Sequence, residues 1–463
     1  MKSTSTGKLT AEIARKLGAQ KIETSPEVLV CYAFDATNIR HLPAAVVFPE
    51  TREDVEAVMK LCAAEAVAAI PRGAGTGFAG GTVPIRGGVV VSTERMDRTI
   101  SIDRDRRQAV LEPGVVNARL QREASKVGLM FPPDPSSLEA CTIGGNVAQD
   151  AGGPRALKYG VTRDYVLAVE AVLYGGGVVG SDREATSPGD WDPMRPLLVG
   201  NEGTLGFLTR ITLRLLPKPD RFATALASFR TTRDAARAVN LIFERGVLPA
   251  AVELIDAETM ACVASFIKIS VPVSAGCSLL VETDGRECEA VDAMSAVETA
   301  LLEAEPIEIK VAQTEAEREN LWRMRRAVSP SLARIAPWKI NEDVCVPRSQ
   351  LPSLVDRVAA LGKKYGISVP TFGHAGDGNL HVNVMFDPRK GDEAKRAQEL
   401  VEGLFEATLG LGGTISGEHG IGFTKLKFLP GELGRDTTDL ETRIKQSFDP
   451  RGLMNPGKVF DQI

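Results

Sequence analysis

Apolar positions in the first half of the chain recur with two periods. Val55, Val58, Met59 and Cys62 fall three and four apart, which places them on one face of a helix. Thr51 stands before that face as an N-cap, and Asp54 three residues on supports it in capping-box fashion. Shorter runs rich in β-branched residues, at Val67 to Ile70, Gly88 to Ser92 and Gln108 to Glu112, are bounded by turn residues and read as strands. A helix is expected over Asn117 to Lys126, closed by Gly128, and a hairpin over Tyr165 to Gly180 with Gly175 to Gly177 at its turn. Leu216-Pro217-Lys218-Pro219 then breaks both periods, because proline suits neither a helix interior nor a central strand. A domain boundary is expected there, with residues 1–219 forming a sheet-rich first domain.

Past that point the pattern lengthens into amphipathic helices at Arg233 to Glu244, Arg286 to Glu303, Glu315 to Val328 and Gln350 to Tyr365. Strands at Ser278 to Glu282 and Ile307 to Val311 separate them, so residues 220–411 read as an α+β domain with a β-α-β rhythm. From about Gly412 glycine-rich loops return. The turn residues of Asp449 to Lys458 close a last helix, and residues 412–463 are expected to pack back on the first domain.

Composition narrows the function classes. Hydrophobic residues at 43% and charged ones at 25% are ordinary for a globular chain, and a net charge of −5 offers no uniform attraction for nucleic acid or an anionic membrane surface. No apolar run approaches the ~18 residues needed to cross a bilayer. Met1 to Thr10 holds no apolar stretch of the secretory type, which makes a cytoplasmic location the expectation. Seven scattered cysteines without a C-x-x-C pair fit a reducing compartment and leave no local iron–sulfur or zinc-ribbon motif. Glycine is the departure, at 44 residues.

Those glycines cluster. Pro71-Arg72-Gly73-Ala74-Gly75-Thr76-Gly77, with Gly80 and Gly81, follows an expected strand; backbone N–H groups without Cβ interference can approach a pyrophosphate closely. Loops of this kind are equally met as simple turns. No helical period follows, so this is not the G-x-G-x-x-G fingerprint of a nicotinamide site. A second cluster runs from Pro135, Ser136 and Ser137 through Thr142, Gly145 and Asn146 to Gly153, and a third covers Asn201 to Gly206. Three glycine-polar loops in one sheet-rich domain suit a large ligand with many heteroatoms.

Histidines are scarcer and more pointed. Of four in the chain, His374, His381 and His419 lie close together in sequence. Gly373-His374 to His381 puts two imidazoles across a glycine-rich bend, and Gly417-Glu418-His419-Gly420 sets a carboxylate beside a third. Two histidines and one carboxylate can hold a first-row divalent ion with positions left for substrate, and the remaining histidine can serve as a base. Loop histidines hydrogen-bonded to backbone are the competing reading. Asp377 and Asn379 read either as groups orienting the ligands or as solvated turn residues.

These motifs resemble the vanillyl-alcohol oxidase superfamily, and within it the glycolate oxidase flavoprotein subunit and the D-lactate and D-2-hydroxyglutarate dehydrogenases. The resemblance covers nearly the whole chain. It implies an α+β fold: a two-part FAD-binding domain of the vanillyl-alcohol oxidase (PCMH) type, then an α+β cap domain with a ferredoxin-like antiparallel sheet, then the C-terminal segment. It implies FAD held by Arg72, Gly73, Ala74, Gly75, Thr76, Gly77, Gly80, Gly81, Pro135, Ser136, Ser137, Thr142, Gly145, Asn146, Gly203 and Asn455. Covalent relatives attach flavin to a histidine in the first loop; Thr76 and Gly77 stand here, so non-covalent FAD is implied. His374, His381 and Glu418 match the family's divalent-metal ligands (Zn, Mn or Fe), and His419 matches its base. Arg325, in Leu321 to Arg325, and Lys339, in Pro337 to Asp343, match the elements that bind a substrate carboxylate, while Arg323 and Arg326 read as solvated helix-face charges.

The implied reaction is oxidation of a small D-2-hydroxyacid, D-lactate or glycolate first, to the 2-oxoacid. Electrons would pass to an iron–sulfur subunit, an electron-transfer flavoprotein or a quinone-linked complex. That partner could tether a cytoplasmic protein to the inner membrane, and a homodimer is compatible. Ser329, where the hydroxyglutarate enzymes carry Thr, and a longer stretch between Lys339 and Pro347 depart from that branch. D-2-hydroxyglutarate oxidation, a non-catalytic flavin-binding subunit and a flavin-dependent ether-lipid synthase are the alternatives. The paired cations speak against the synthase, and retention of His374, His381, Glu418 and His419 speaks for activity.

Overall fold

The helical period after Thr51 is realised as the helix Arg52–Glu65, with the Thr51 side chain accepting from Asp54 N and with Val55, Val58, Met59 and Cys62 buried. The computed structural model describes residues 2–180, 192–268, 272 and 274–460. It divides into two units: Met1–Ala151, Val161–Lys218 and Glu418–Ile463 in the first, Gly152–Gly160 and Pro219–Gly417 in the second. This differs from a linear division at 219 and 412: a nine-residue stretch leaves the first unit for the second, and the chain returns at Glu418.

The first unit contains two main sheets. One has the order Ile22–Glu23, Ala45–Val47, Val89–Ser92, Ala69–Arg72, with the last three parallel. The strand expected at Val67 to Ile70 runs instead to Arg72. Proline is tolerated at position 71 because this strand is the sheet's edge, where a missing N–H costs no ladder bond. The second sheet is antiparallel, ordered Thr99–Asp103, Gln108–Leu111, Phe207–Arg214, Val166–Val172, Val178–Gly180, and contains the expected hairpin. Thr142 to Gln149, read as loop, is a helix: Ile143–Gln149 follows an N-cap at Thr142, whose hydroxyl accepts from Gly145 N. The segment after Glu418 returns to the first sheet, where Asn455 N donates to Ala69 O at 2.8 Å.

The second unit has one seven-stranded sheet, ordered Glu308–Val311, Arg221–Phe229, Cys277–Gly285, Ala251–Asp256, Thr371–His374, Asn379–Phe386, Trp338–Cys345. Every pairing is antiparallel. The first four strands in chain order take the ferredoxin-like arrangement, in which each helical crossover skips a position that an antiparallel strand fills. The β-α-β rhythm therefore yields no parallel neighbours. The helix Glu315–Arg326 lays Leu321 and Trp322 against Ala251 and Leu280, and Met324 against Ile255 and Phe372. Among the described residues no helix is long and apolar enough to cross a membrane.

Candidate active site

In the first unit the glycine loops converge. A Cβ on Gly73 would lie 2.5 Å from Thr142 Oγ1, and one on Gly203 would meet the Pro71 ring at 3.2 Å. First loop, helix cap and third loop thus pack as one surface of bare backbone. Gly80 sits at φ 77°, with the Phe423 ring where a side chain would begin, at 2.0 Å. Gly145 and Asn146 fall in the first turn of the capped helix. The buried Nδ2 of Asn146 has no hydrogen-bond partner among the described residues, a donor that the heteroatoms of a large ligand would satisfy.

Some predicted contacts are occupied by the protein itself. Arg72 Nη1 donates to Phe34 O at 2.8 Å and to Thr82 Oγ1 at 3.1 Å, and its guanidinium lies over the Tyr32 ring. It braces the loop from inside, against Gly75. Asn455 Nδ2 donates to Gly81 O and Glu202 O, both at 2.9 Å, and its Oδ1 accepts from Lys458. Ala74, Thr76 and Gly77 complete the first loop, while Pro135 to Ser137 form the turn that leads into Thr142.

His419 belongs to the first unit too, stacked on Phe78 with ring centroids 4.9 Å apart. Its loop is held by Glu202, a buried carboxylate that accepts from Ile421 N at 2.7 Å and Gly422 N at 2.8 Å. Burial pushes the Glu202 carboxyl above its ordinary value, opposed by those two N–H donors and by Lys425 and Lys458. Sequence reasoning took neither Phe78 nor Glu202, although Glu202 lies inside the third glycine loop.

In the second unit His374 ends one strand and His381 lies on its hairpin partner, with Phe372 opposite His381 in register. The four-residue turn between them includes Gly378, where a Cβ would meet Val346 O at 2.0 Å. The two Nε2 atoms are 3.4 Å apart and both rings are buried. Two nitrogens bound at ~2.0–2.1 Å to one tetrahedral ion would be separated by roughly that distance, so the pair suits a shared metal. Asp377 Oδ1 accepts from Asn379 N, closing the turn. Glu418 opens the return segment, directly after Gly417, whose own Cβ would meet the Asn379 side chain at 2.4 Å.

A further carboxylate, Glu253, absent from the sequence reading, meets both His374 and Arg325. It is fully buried on Ala251–Asp256, with Oε1 2.6 Å from His374 Nδ1 and Oε2 2.6 Å from Arg325 Nε. Burial pushes its carboxyl up, but His374 and Arg325 outweigh that and hold it below the ordinary carboxylate range. Arg325 lies on the buried face of its helix with its guanidinium 4.8 Å from the Phe372 ring centroid, whereas Arg323 and Arg326 are exposed. Lys339 Nζ donates to Ser329 Oγ at 3.0 Å, and burial lowers its pKa.

Residues 43–181 match the family described as "FAD binding domain", and residues 218–459 match "FAD linked oxidases, C-terminal domain", a span of more than half the chain. The chain belongs to the FAD-linked oxidases. This FAD-linked oxidase is 37% identical to glycolate oxidase subunit GlcD of Bacillus subtilis (strain 168), over 96% of its own length and 94% of the relative's. It is 33% identical to a D-lactate dehydrogenase of Anaerostipes hadrus, over 90% and 89%. Its fold is shared with p-cresol methylhydroxylase solved with substrate bound, at a TM-score of 0.80, 17% identity and coverage of 99% and 97%. The two-part FAD-binding architecture of that structural class is the one described above.

Proposed function

We propose that this oxidase converts a D-2-hydroxyacid, D-lactate or glycolate first, to the 2-oxoacid, using non-covalent FAD and a divalent metal at His374, His381 and Glu418. One observation carries the reading: the buried cation Arg325 and His374, one imidazole of a buried pair, share a single carboxylate, Glu253. A hydroxyacid presents the matching features, a carboxylate beside an α-hydroxyl. Relatives named for glycolate oxidation and for D-lactate support the substrate class.

Arg325 docks the substrate carboxylate with its planar fork, aided by Lys339 as a point charge. His374, His381 and Glu418 would hold a divalent metal, which when bound would lower the pKa of the substrate's α-hydroxyl as a Lewis acid. His419, kept in plane by Phe78, takes the hydroxyl proton as the Cα–H pair of electrons leaves as hydride. FAD bound on the glycine loops, Gly73 to Gly81, Thr142 to Asn146 and Gly203, supplies the hydride acceptor. The substrate thus gives up two electrons and one proton as hydride, and its second proton to His419. Electrons leave the protein through a partner protein or a quinone.

Anaerobic bleaching of the flavin across paired D- and L-hydroxyacids tests the reaction. D-lactate or glycolate should bleach it, and D- should outrun L-lactate. His419→Ala should retain flavin and bleach about 10²–10⁴-fold more slowly. Equal rates in wild type and variant would remove His419 from the proposed step.

A further inference from the structure

The face of the Ala251–Asp256 strand that carries Glu253 is otherwise apolar, with Ala251 and Ile255 on either side and both in hydrophobic clusters. A carboxylate there costs several kcal/mol to desolvate unless it is paired. Its two oxygens are divided between two partners: Oε1 meets His374 Nδ1, and Oε2 meets both Nε and Nη2 of Arg325 at 2.6 Å. With Nδ1 turned to Glu253, Nε2 is the His374 nitrogen facing His381 Nε2. The same contact fixes the rotation of the Arg325 fork above Phe372.

We propose that Glu253 is a positioning residue that couples the two halves of the substrate site, setting the ligating nitrogen of His374 and the carboxylate-binding edge of Arg325 through one side chain. The proposal rests on the reading of His374 as a metal ligand and Arg325 as a carboxylate anchor. A residue that only stabilised the fold would affect both functions through unfolding. A shared strut affects both in a folded protein, because metal ligands oriented by a carboxylate lose affinity when it is removed.

The test uses the full-length, flavin-loaded protein with two probes measured separately by calorimetry: Zn²⁺ alone, and propionate alone, which has a carboxylate and no α-oxygen. Glu253→Gln should weaken Zn²⁺ binding about 10–100-fold and propionate binding on the order of tenfold, at wild-type flavin content and melting temperature within a few degrees. A change in one affinity without the other, or in neither, overturns the coupling while leaving the functional reading intact. Wild type binding neither probe overturns the functional reading, and the coupling with it. Should Glu253→Gln fail to fold, wild type loaded with Co²⁺ decides the matter by proton NMR. The His374 Nδ1–H held by Glu253 should give a hyperfine-shifted, slowly exchanging resonance that is lost in His374→Ala. Its absence from wild type overturns the proposal.

Discussion

The glycine loops of the first unit and the histidine hairpin of the second are built from opposite materials. In the loops the proposed flavin surface is backbone, and what matters at Gly73, Gly80 and Gly203 is that no Cβ is present. In the hairpin the surface is side chain, and its geometry depends on buried contacts between groups far apart in sequence, Glu253 with His374 and with Arg325. Backbone sites fail when atoms are added; side-chain sites fail when atoms or charges are removed. The two regions should therefore answer differently to substitution.

The largest contrast is expected at His381. His381→Ala should lower turnover by about a thousandfold or more, the scale of several kcal/mol of Lewis-acid stabilisation, and abolish stoichiometric metal. Flavin content should match wild type; simultaneous loss of flavin would show that the two regions are not separable. Gly80→Ala tests the other side. With φ at 77° and the Phe423 ring in the way, it should cost roughly 1–3 kcal/mol, read as a lower melting temperature and weaker flavin retention, with metal binding preserved.

Glu202→Gln sharpens the comparison, because Glu202 is a side-chain anchor inside the backbone-built region. It serves two N–H donors of the His419 loop, and an amide oxygen can replace one carboxylate oxygen only. Loss of one buried acceptor should cost about 1–2 kcal/mol, measured by chemical denaturation, with a slower flavin-reduction rate and unchanged flavin content. The smallest effect concerns Asp256, which caps the helix Ala257–Ile267 and accepts from Thr371 N at the start of the histidine strand. Burial raises its pKa to about 6. The folded state then holds a proton that the unfolded chain releases near pH ~4, so this contribution to stability is present below about pH 4 and lost as pH rises through about 6. Asp256→Asn, which retains the cap, should flatten that decline; urea midpoints at pH 4.5 and 7 that fall equally in wild type and variant would exclude the assignment.

Elements with a strong local period were legible from sequence: the helices Arg52–Glu65 and Asn117–Lys126, and the hairpin formed by Val166–Val172 and Val178–Gly180, lie where their spacing put them. Ile143–Gln149 was not, since Ile-Gly-Gly-Asn carries poor helix formers and becomes helical beneath the Thr142 cap while packed on Pro113. The placement of Pro71 in a strand was hidden as well, because only sheet order reveals an edge.

What the sequence alone determined is therefore local: glycine clusters able to bare the backbone, the scarcity and grouping of histidines, the helix face that carries Arg325, and motifs sufficient for the family. Tertiary structure decided which groups share a charge. Glu253 lies 121 residues from His374 and 72 from Arg325, and Arg155 and Lys158 leave the first unit's sequence to pair with Glu282 and Asp284 in the second. No periodicity encodes such pairings, since a buried carboxylate looks like any other glutamate in a strand until folding removes water and leaves only buried partners able to satisfy it.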